Sequence, residues 1–180
     1  GGIQAIQTLW AGPWMLNITG YTPLESATGL FWINITMLIS YFIWGYILPK
    51  ISEYGVSSVK LIKLGLPISY FSLFLIIYFG NNSGAFLFTI YIVTSIVISL
   101  TQPAIALNFS KNLAGKSLTS YNVFLFSGTF FIQWGIGLVI DFCSNRGFDV
   151  LSSYRISFSL FLILCVMSYI FFVYLNRNES

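Results

Sequence analysis

Residues 64–110, LGLPISYFSLFLIIYFGNNSGAFLFTIYIVTSIVISLTQPAIALNFS, run for forty-seven positions between Lys63 and Lys111 without a charged side chain. A helix that crosses the hydrocarbon core needs about 20 apolar residues. The stretch is therefore too long for one span and long enough for two. Gly80-Asn81-Asn82-Ser83-Gly84 concentrates turn-forming residues in its middle, which divides it into helices expected at 58–79 and 85–109. Continuous apolar runs favour helices over barrel strands, since barrel strands alternate in polarity over about ten residues.

The same reading extends along the chain. Uncharged runs lie at 26–49 between Glu25 and Lys50, at 117–140 between Lys116 and Asp141, and at 156–176 between Arg155 and Arg177. They predict helices over 26–48, 118–141 and 154–175. Residues 1–24 are also uncharged, but Gly12-Pro13 and the polar run Asn17 to Pro23 end the apolar part early. A helix over 1–16 is expected there, shorter than a full span, with no charged anchor before Gly1-Gly2. It reads as a helix that has been cut. The fold class expected is an all-α integral membrane bundle of six transmembrane helices.

Composition agrees with that class. Of 180 residues, 57% are hydrophobic and 7% charged, and mean hydropathy is +0.84. A soluble domain carries about 25% charged residues, so thirteen charges cannot clothe a water-exposed surface. The net charge of +3 comes without a basic cluster or reading motif for nucleic acid. Histidine is absent, removing the commonest metal ligand and general base. Cys143 and Cys165 are 22 residues apart and carry neither a zinc nor a disulfide spacing. No metal, cofactor or nucleic acid partner is expected, and with no acid in mid-helix, catalysis is not expected either. The partners expected are the lipid bilayer and a small-molecule or ion substrate.

Lysine and arginine in short connections set orientation. Lys50, Lys60, Lys63, Lys111, Lys116 and Arg177 fall on one side, Arg146 and Arg155 on the other. The chain is thus expected to be multi-pass in the cell inner membrane with its C-terminus cytoplasmic. Trp10, Trp14 and Tyr21 would then lie near the outer interface. Asp141 falls at the outer end of the fifth helix, near Arg146, Asp149 and Arg155, where a solvated or loop-pairing role is expected.

Gln4-Ala-Ile-Gln7-Thr-Leu-Trp10-Ala-Gly-Pro13-Trp14 resembles the outer half of the seventh helix in a bacterial branch of the major facilitator superfamily. Gly45-Tyr-Ile-Leu-Pro49-Lys50 falls where that family repeats its cytoplasmic Gly-x-x-x-Asp-Arg-x-Gly-Arg loop. Here Pro49 stands in the place of the Asp, Lys50 keeps a base at the Arg place, and Ser52 and Glu53 replace the following Gly and Arg. Thr101-Gln102-Pro103, Leu113 to Lys116, Gly128, Gln133-Trp134-Gly135 and Ile140-Asp141 are similar to the tenth and eleventh helices. The resemblance implies the C-terminal half of a twelve-helix secondary transporter, helices seven to twelve. It also implies a missing N-terminal six-helix half as partner, and substrate held between halves. The alternative is a self-contained six-helix scaffold or homodimeric transporter.

Polar side chains in hydrocarbon are costly unless they pair or face a cavity. Gln4 and Gln7 share a helix face with Trp10, and Trp14 follows one turn later. The resemblance implies a cavity-lining stripe there; interhelical packing and interfacial anchoring would use the same residues. Because the family turns its seventh, eighth, tenth and eleventh helices to the cavity, it also implicates Asn34, Gln102, Asn122 and Gln133. Interhelical hydrogen bonding is the competing role for these amides. Asn34 and Thr36, two positions apart, cannot both face a cavity squarely. Gly45, Gly128, Gly135 and Gly137 are expected to permit close helix packing, and Pro103 to kink its helix. Uncharged amides and indoles suit sugars, organic anions, nitrate-like ions and drugs alike.

Overall fold

Six helices order the chain, and capping residues set their ends more than the edges of the apolar runs do. The computed structural model describes residues 1–177, without the side chains of residues 107, 108 and 111. Helix α1 covers residues 2–17 and joins an α-helical turn Gly2–Ala5, a π-helical turn Ile6–Trp10 and an α-helical Ala11–Asn17. Helix α2 is Pro23–Glu53 and α3 is Ser58–Phe79, followed by a 3-10 turn Gly80–Asn82. Helix α4 covers residues 85–108 as Ala85–Ser95, a 3-10 segment Ile96–Leu100 and Thr101–Asn108. Helices α5, Lys111–Asn145, and α6, Val150–Leu175, complete the bundle. No strand occurs among the described residues.

Three helices outrun the bounds drawn from charge spacing, because an apolar count stops at the first charge whereas the backbone stops at a cap. Helix α2, expected from 26, begins at 23. Thr22 and Glu25 form a reciprocal capping box there, with Thr22 N–H donating to Glu25 Oε2 at 2.8 Å and Pro23 at the first position. It continues past 48 to 53, where Gly55 at φ +76 and the bonds Gly55 N–H to Ser52 O and Val56 N–H to Ile51 O form a Schellman stop. Helix α5, expected over 118–141, runs 111–145 and stops the same way. Gly147 has φ +84, Gly147 N–H bonds Ser144 O, and Phe148 N–H bonds Cys143 O. Helix α6 starts at 150 instead of 154 because Asp149 accepts from Ser152 N–H at 3.0 Å. The Ser152 hydroxyl and N–H hold the Asp149 carboxyl below the usual carboxylate range.

The irregular segments trace to proline. Pro13 and Pro103 have no N–H to give the carbonyls of Leu9 and Ser99, four residues back, and their rings crowd those carbonyls. Leu9 lies in the π-helical turn and Ser99 in the 3-10 segment, so each helix changes its winding immediately before its proline. Pro67 is handled differently. It leaves Lys63 O without a helical donor, and α3 stays α-helical because the Tyr169 hydroxyl of α6 donates to that carbonyl at 2.7 Å.

Helices α3 and α6 are antiparallel and tied at both ends. Arg155, near the start of α6, donates from Nε to Ile77 O at 2.9 Å and from Nη2 to Tyr78 O at 2.8 Å, at the end of α3. Lys63, near the start of α3, donates to Asn176 O just past the end of α6. Each cation thus satisfies carbonyls at the negative end of the opposing helix. Tyr70 and Tyr169 meet edge-on between the ties, ring centroids 6.0 Å apart.

Two apolar clusters fill the interior. The larger centres on Trp14, Phe88, Tyr91 and Phe158, all fully buried, and the smaller on Ile62, Leu66, Val97 and Leu100. Close helix approach occurs at Gly29, where an added Cβ would meet Ala85 Cβ at 2.8 Å, and at Gly65, where it would meet Val97 Cγ1 at 2.8 Å. This corrects the expectation for Gly45 and Gly135, which face open space; Gly137 meets the Trp10 ring at 3.4 Å, and Gly128 nears only Gly1 at 3.8 Å. The exterior is apolar, with Phe42, Phe86, Phe124 and Met167 among many large exposed side chains. Among the described residues, five helices are long and apolar enough to cross a membrane, α2 to α6. An apolar exterior over serines buried inside is what a lipid solvent selects, and the bundle is consistent with a multi-pass membrane protein.

Candidate functional site

Polar residues that would be costly against lipid gather around one cavity of about 630 Å³, to which all six helices contribute. Helix α1 brings Gln4, Gln7 and Thr8; α2 brings Asn34, Met37 and Tyr41; α3 brings Tyr70. Ser95, Ser99 and Gln102 come from α4, Tyr121 and Asn122 from α5, and Cys165 and Ser168 from α6. Both re-wound segments lie on this wall: Gln7 and Thr8 belong to the π-helical turn, and Ile96, Ile98 and Ser99 to the 3-10 segment. Locally altered winding at a polar cavity is a recurrent feature of functional sites.

Several wall groups are held in place. Gln7 Nε2 donates to Asn34 Oδ1 at 3.2 Å and Met37 Sδ at 2.9 Å, while Asn34 Nδ2 donates to Leu30 O at 2.7 Å. The two bonds from Gln7 join α1 to α2, and the third fixes the Asn34 amide on its own helix. The Tyr121 hydroxyl lies 2.8 Å from Thr101 Oγ1, joining α5 to α4. Among the described residues, no Asp, Glu, Lys or Arg side chain lines the cavity.

The structure brings Gln4, Gln7, Asn34, Gln102 and Asn122 together on the cavity wall and places Gln133, Trp10 and Trp14 off it. Gln133 lies one layer behind: its Nε2 donates to Thr8 Oγ1 at 2.9 Å, and Thr8 Oγ1 donates to Gln4 O at 2.8 Å. Trp10 Nε1 donates to Gln133 O at 3.2 Å, so the indole packs α1 against α5. Trp14 is 0% exposed, so its ring packs inside the bundle instead of facing outward as an aromatic anchor would. Its Nε1 donates to Ser83 Oγ at 2.9 Å, and the Ser83 hydroxyl donates on to Gly80 O. Its ring meets Phe158 at 4.6 Å, Tyr154 at 5.9 Å and Phe88 at 6.2 Å between centroids. Thr36 turns back to Trp32 O of its own helix, leaving Asn34 on the wall. Gly45 and Lys50 are remote from the cavity, and Lys50 Nζ lies 4.0 Å over the Tyr46 ring and 2.7 Å from its hydroxyl.

Sequence reasoning passed over Tyr41, Tyr70 and Tyr121, which hydropathy counts treat as apolar, and Ser99, Ser168 and Cys165, which are common in membrane helices. Ser99, three positions before Gln102 on α4, could have been found from that spacing, whereas Tyr41, Tyr70, Tyr121, Cys165 and Ser168 come from helices other than those of Gln7 and Gln102. A second signal was available: Tyr41 falls eight or more residues from either end of the uncharged run 26–49, where a hydroxyl needs a partner or water.

Compared with known proteins, the chain matches no family model, no curated protein and no solved structure.

Proposed function

We propose that this bundle serves secondary active transport of a small solute across the membrane, as the C-terminal half of a major facilitator-type transporter. The observation that carries the reading is the convergence of polar, uncharged side chains from all six helices on one open cavity inside an apolar exterior. A bundle needing only to anchor or pack would gain nothing from amides on that wall, since each costs desolvation without a partner. The resemblance of Gln4 to Trp14 to a seventh helix of that superfamily supports the same reading, as does the excess of Lys and Arg at one end of the bundle. That charge bias supports a cytoplasmic C-terminus and the inner membrane as location. No covalent chemistry and no cofactor is called for; the work is binding and exposure to alternate sides.

The test is uptake into proteoliposomes of the protein carrying this chain, screened against a panel of radiolabelled solutes. For a solute that accumulates, Gln7→Ala and Gln133→Ala are expected to lower the initial rate at least fivefold while membrane insertion is unchanged. Gln7 acts on the wall itself; Gln133 acts by holding Thr8 and, through it, the Gln4 carbonyl. Undiminished uptake in both variants would remove the cavity from the transport path.

A further inference from the structure

The groups on the cavity wall divide by whether their hydrogen-bonding capacity is used. Gln7 and Asn34 are engaged with each other, and Tyr121 with Thr101. The side-chain amides of Gln4, Gln102 and Asn122 make no hydrogen bond among the described residues, and neither does the Gln7 Oε1 atom. Three complete amides therefore face the cavity, one each from α1, α4 and α5, each offering two donors and an acceptor with two lone pairs.

This set discriminates between classes of ligand. An anion would use the amide N–H groups but meet the carbonyl lone pairs beside them, and among the described residues no Lys or Arg side chain of this chain lies on the wall to balance its charge. A cation would use the carbonyls and meet the N–H groups, and among the described residues no carboxylate of this chain balances it. On the wall that this chain supplies, either charge would lie without a partner, the costly situation at membrane depth. A neutral hydroxyl group is donor and acceptor at once, so vicinal hydroxyls can satisfy both edges of an amide. The tyrosines contribute the other half of the match. Tyr41, Tyr70 and Tyr121 line the same wall, and a flat face of C–H bonds packs on aromatic rings while the hydroxyls at its rim reach the amides. The cavity volume of about 630 Å³ lies within the range of roughly 300–1,000 Å³ usual for small-molecule sites.

We infer that the cavity binds a neutral, ring-shaped, multiply hydroxylated solute, held by the amides of Gln4, Gln102 and Asn122 and packed against tyrosine rings. The inference deepens the transport reading and rests on it, but binding can be read without transport because Cys165 lies on the same wall. The experiment uses the protein carrying this chain in lipid nanodiscs, with Cys143 and any cysteine outside this chain replaced by Ser, and follows alkylation of Cys165 by a maleimide. A hexose, a disaccharide and a nucleoside are compared with lactate, nitrate and choline at equal concentration. At least one neutral hydroxylated solute is expected to slow alkylation threefold or more, and the charged solutes are expected to leave it unchanged. Gln102→Leu and Asn122→Leu, both on exposed wall positions, should abolish the protection without changing the unprotected rate more than twofold. Protection by charged solutes alone, or by none, overturns the inference. Accumulation of a charged solute in proteoliposomes without polyol protection would overturn the ligand class and keep the transport reading. Polyol protection without polyol uptake would keep the ligand class and overturn the transport reading.

Discussion

Trp14→Ala is expected to destabilise the bundle by about 3–5 kcal/mol, the cost of emptying a large aromatic site in a packed core. Trp14 is fully buried, contacts Phe88, Tyr154 and Phe158, and is hydrogen-bonded through Nε1 to Ser83 in the turn between α3 and α4. Its loss opens the packing of α1 against α4 and α6, leaving Met15, Ile18 and the 3.1 Å hydrogen bond from Asn17 to Tyr154 to hold that end. Unfolding by SDS in mixed micelles would measure the change. Trp14→Phe separates the two contributions. It keeps most of the ring packing and gives up the N–H, so a smaller loss is expected, with about 1 kcal/mol belonging to the hydrogen bond. An interfacial Trp14, anchored at the lipid headgroups, would give a much smaller effect for both variants.

The second large effect is expected at Arg155. Arg155→Met leaves the carbonyls of Ile77 and Tyr78 without their donor at the end of α3, where no further helical N–H is available. A loss of about 2 kcal/mol is expected, the order for hydrogen bonds to a charged group. Arg155→Lys should recover only part of it, because the two carbonyls are bound from separate nitrogens of one planar fork, which an ammonium does not reproduce. Lys63→Met, at the opposite tie, should cost less, since Asn176 lies beyond the last turn of α6, where fraying relieves an unpaired carbonyl. The measurement is the same SDS titration, with hydrogen exchange at residues 76–80 reporting whether the end of α3 opens first.

The existence of six helices was legible because charge-free runs of helix length are separated by a few charged or turn-rich stretches, and Asn81-Asn82-Ser83-Gly84 divides the longest run. Their ends were not. Thr22, Asp149, Gly55 and Gly147 act through single hydrogen bonds or a positive φ, and none interrupts a hydropathy average. Glycine spacing also misled, since whether Gly45 or Gly65 faces a neighbour depends on how the helices are rotated in the bundle. At the cavity, Gln4, Gln7, Asn34, Gln102 and Asn122 stood out because amides are rare in such runs. Gln133 lies on a helix that borders the cavity, yet only the rotation of α5 decides that its amide reaches Thr8 instead of the open space. For Trp14 the sequence offered an interface or a cavity; the fold supplies a third environment, an aromatic core, through Phe88 and Phe158 from distant segments.

On the proposed function, an uncharged polar cavity open to water lies inside a bundle whose exterior is covered by lipid. Single cysteines placed at Ser99 and Asn122 on the wall, and at Phe124 and Phe130 on the exterior, test it in a background carrying Cys143→Ser and Cys165→Ser. Phe124, 80% exposed in the bundle, is two residues from Asn122 and on another face of α5, so the pair compares environments at nearly one depth. With the chain in liposomes and a charged, water-soluble thiol reagent, labelling at 99 and 122 is expected to exceed that at 124 and 130 by at least tenfold. Equal labelling at all four positions, or labelling at 124 and 130 in preference to 99 and 122, would contradict the account.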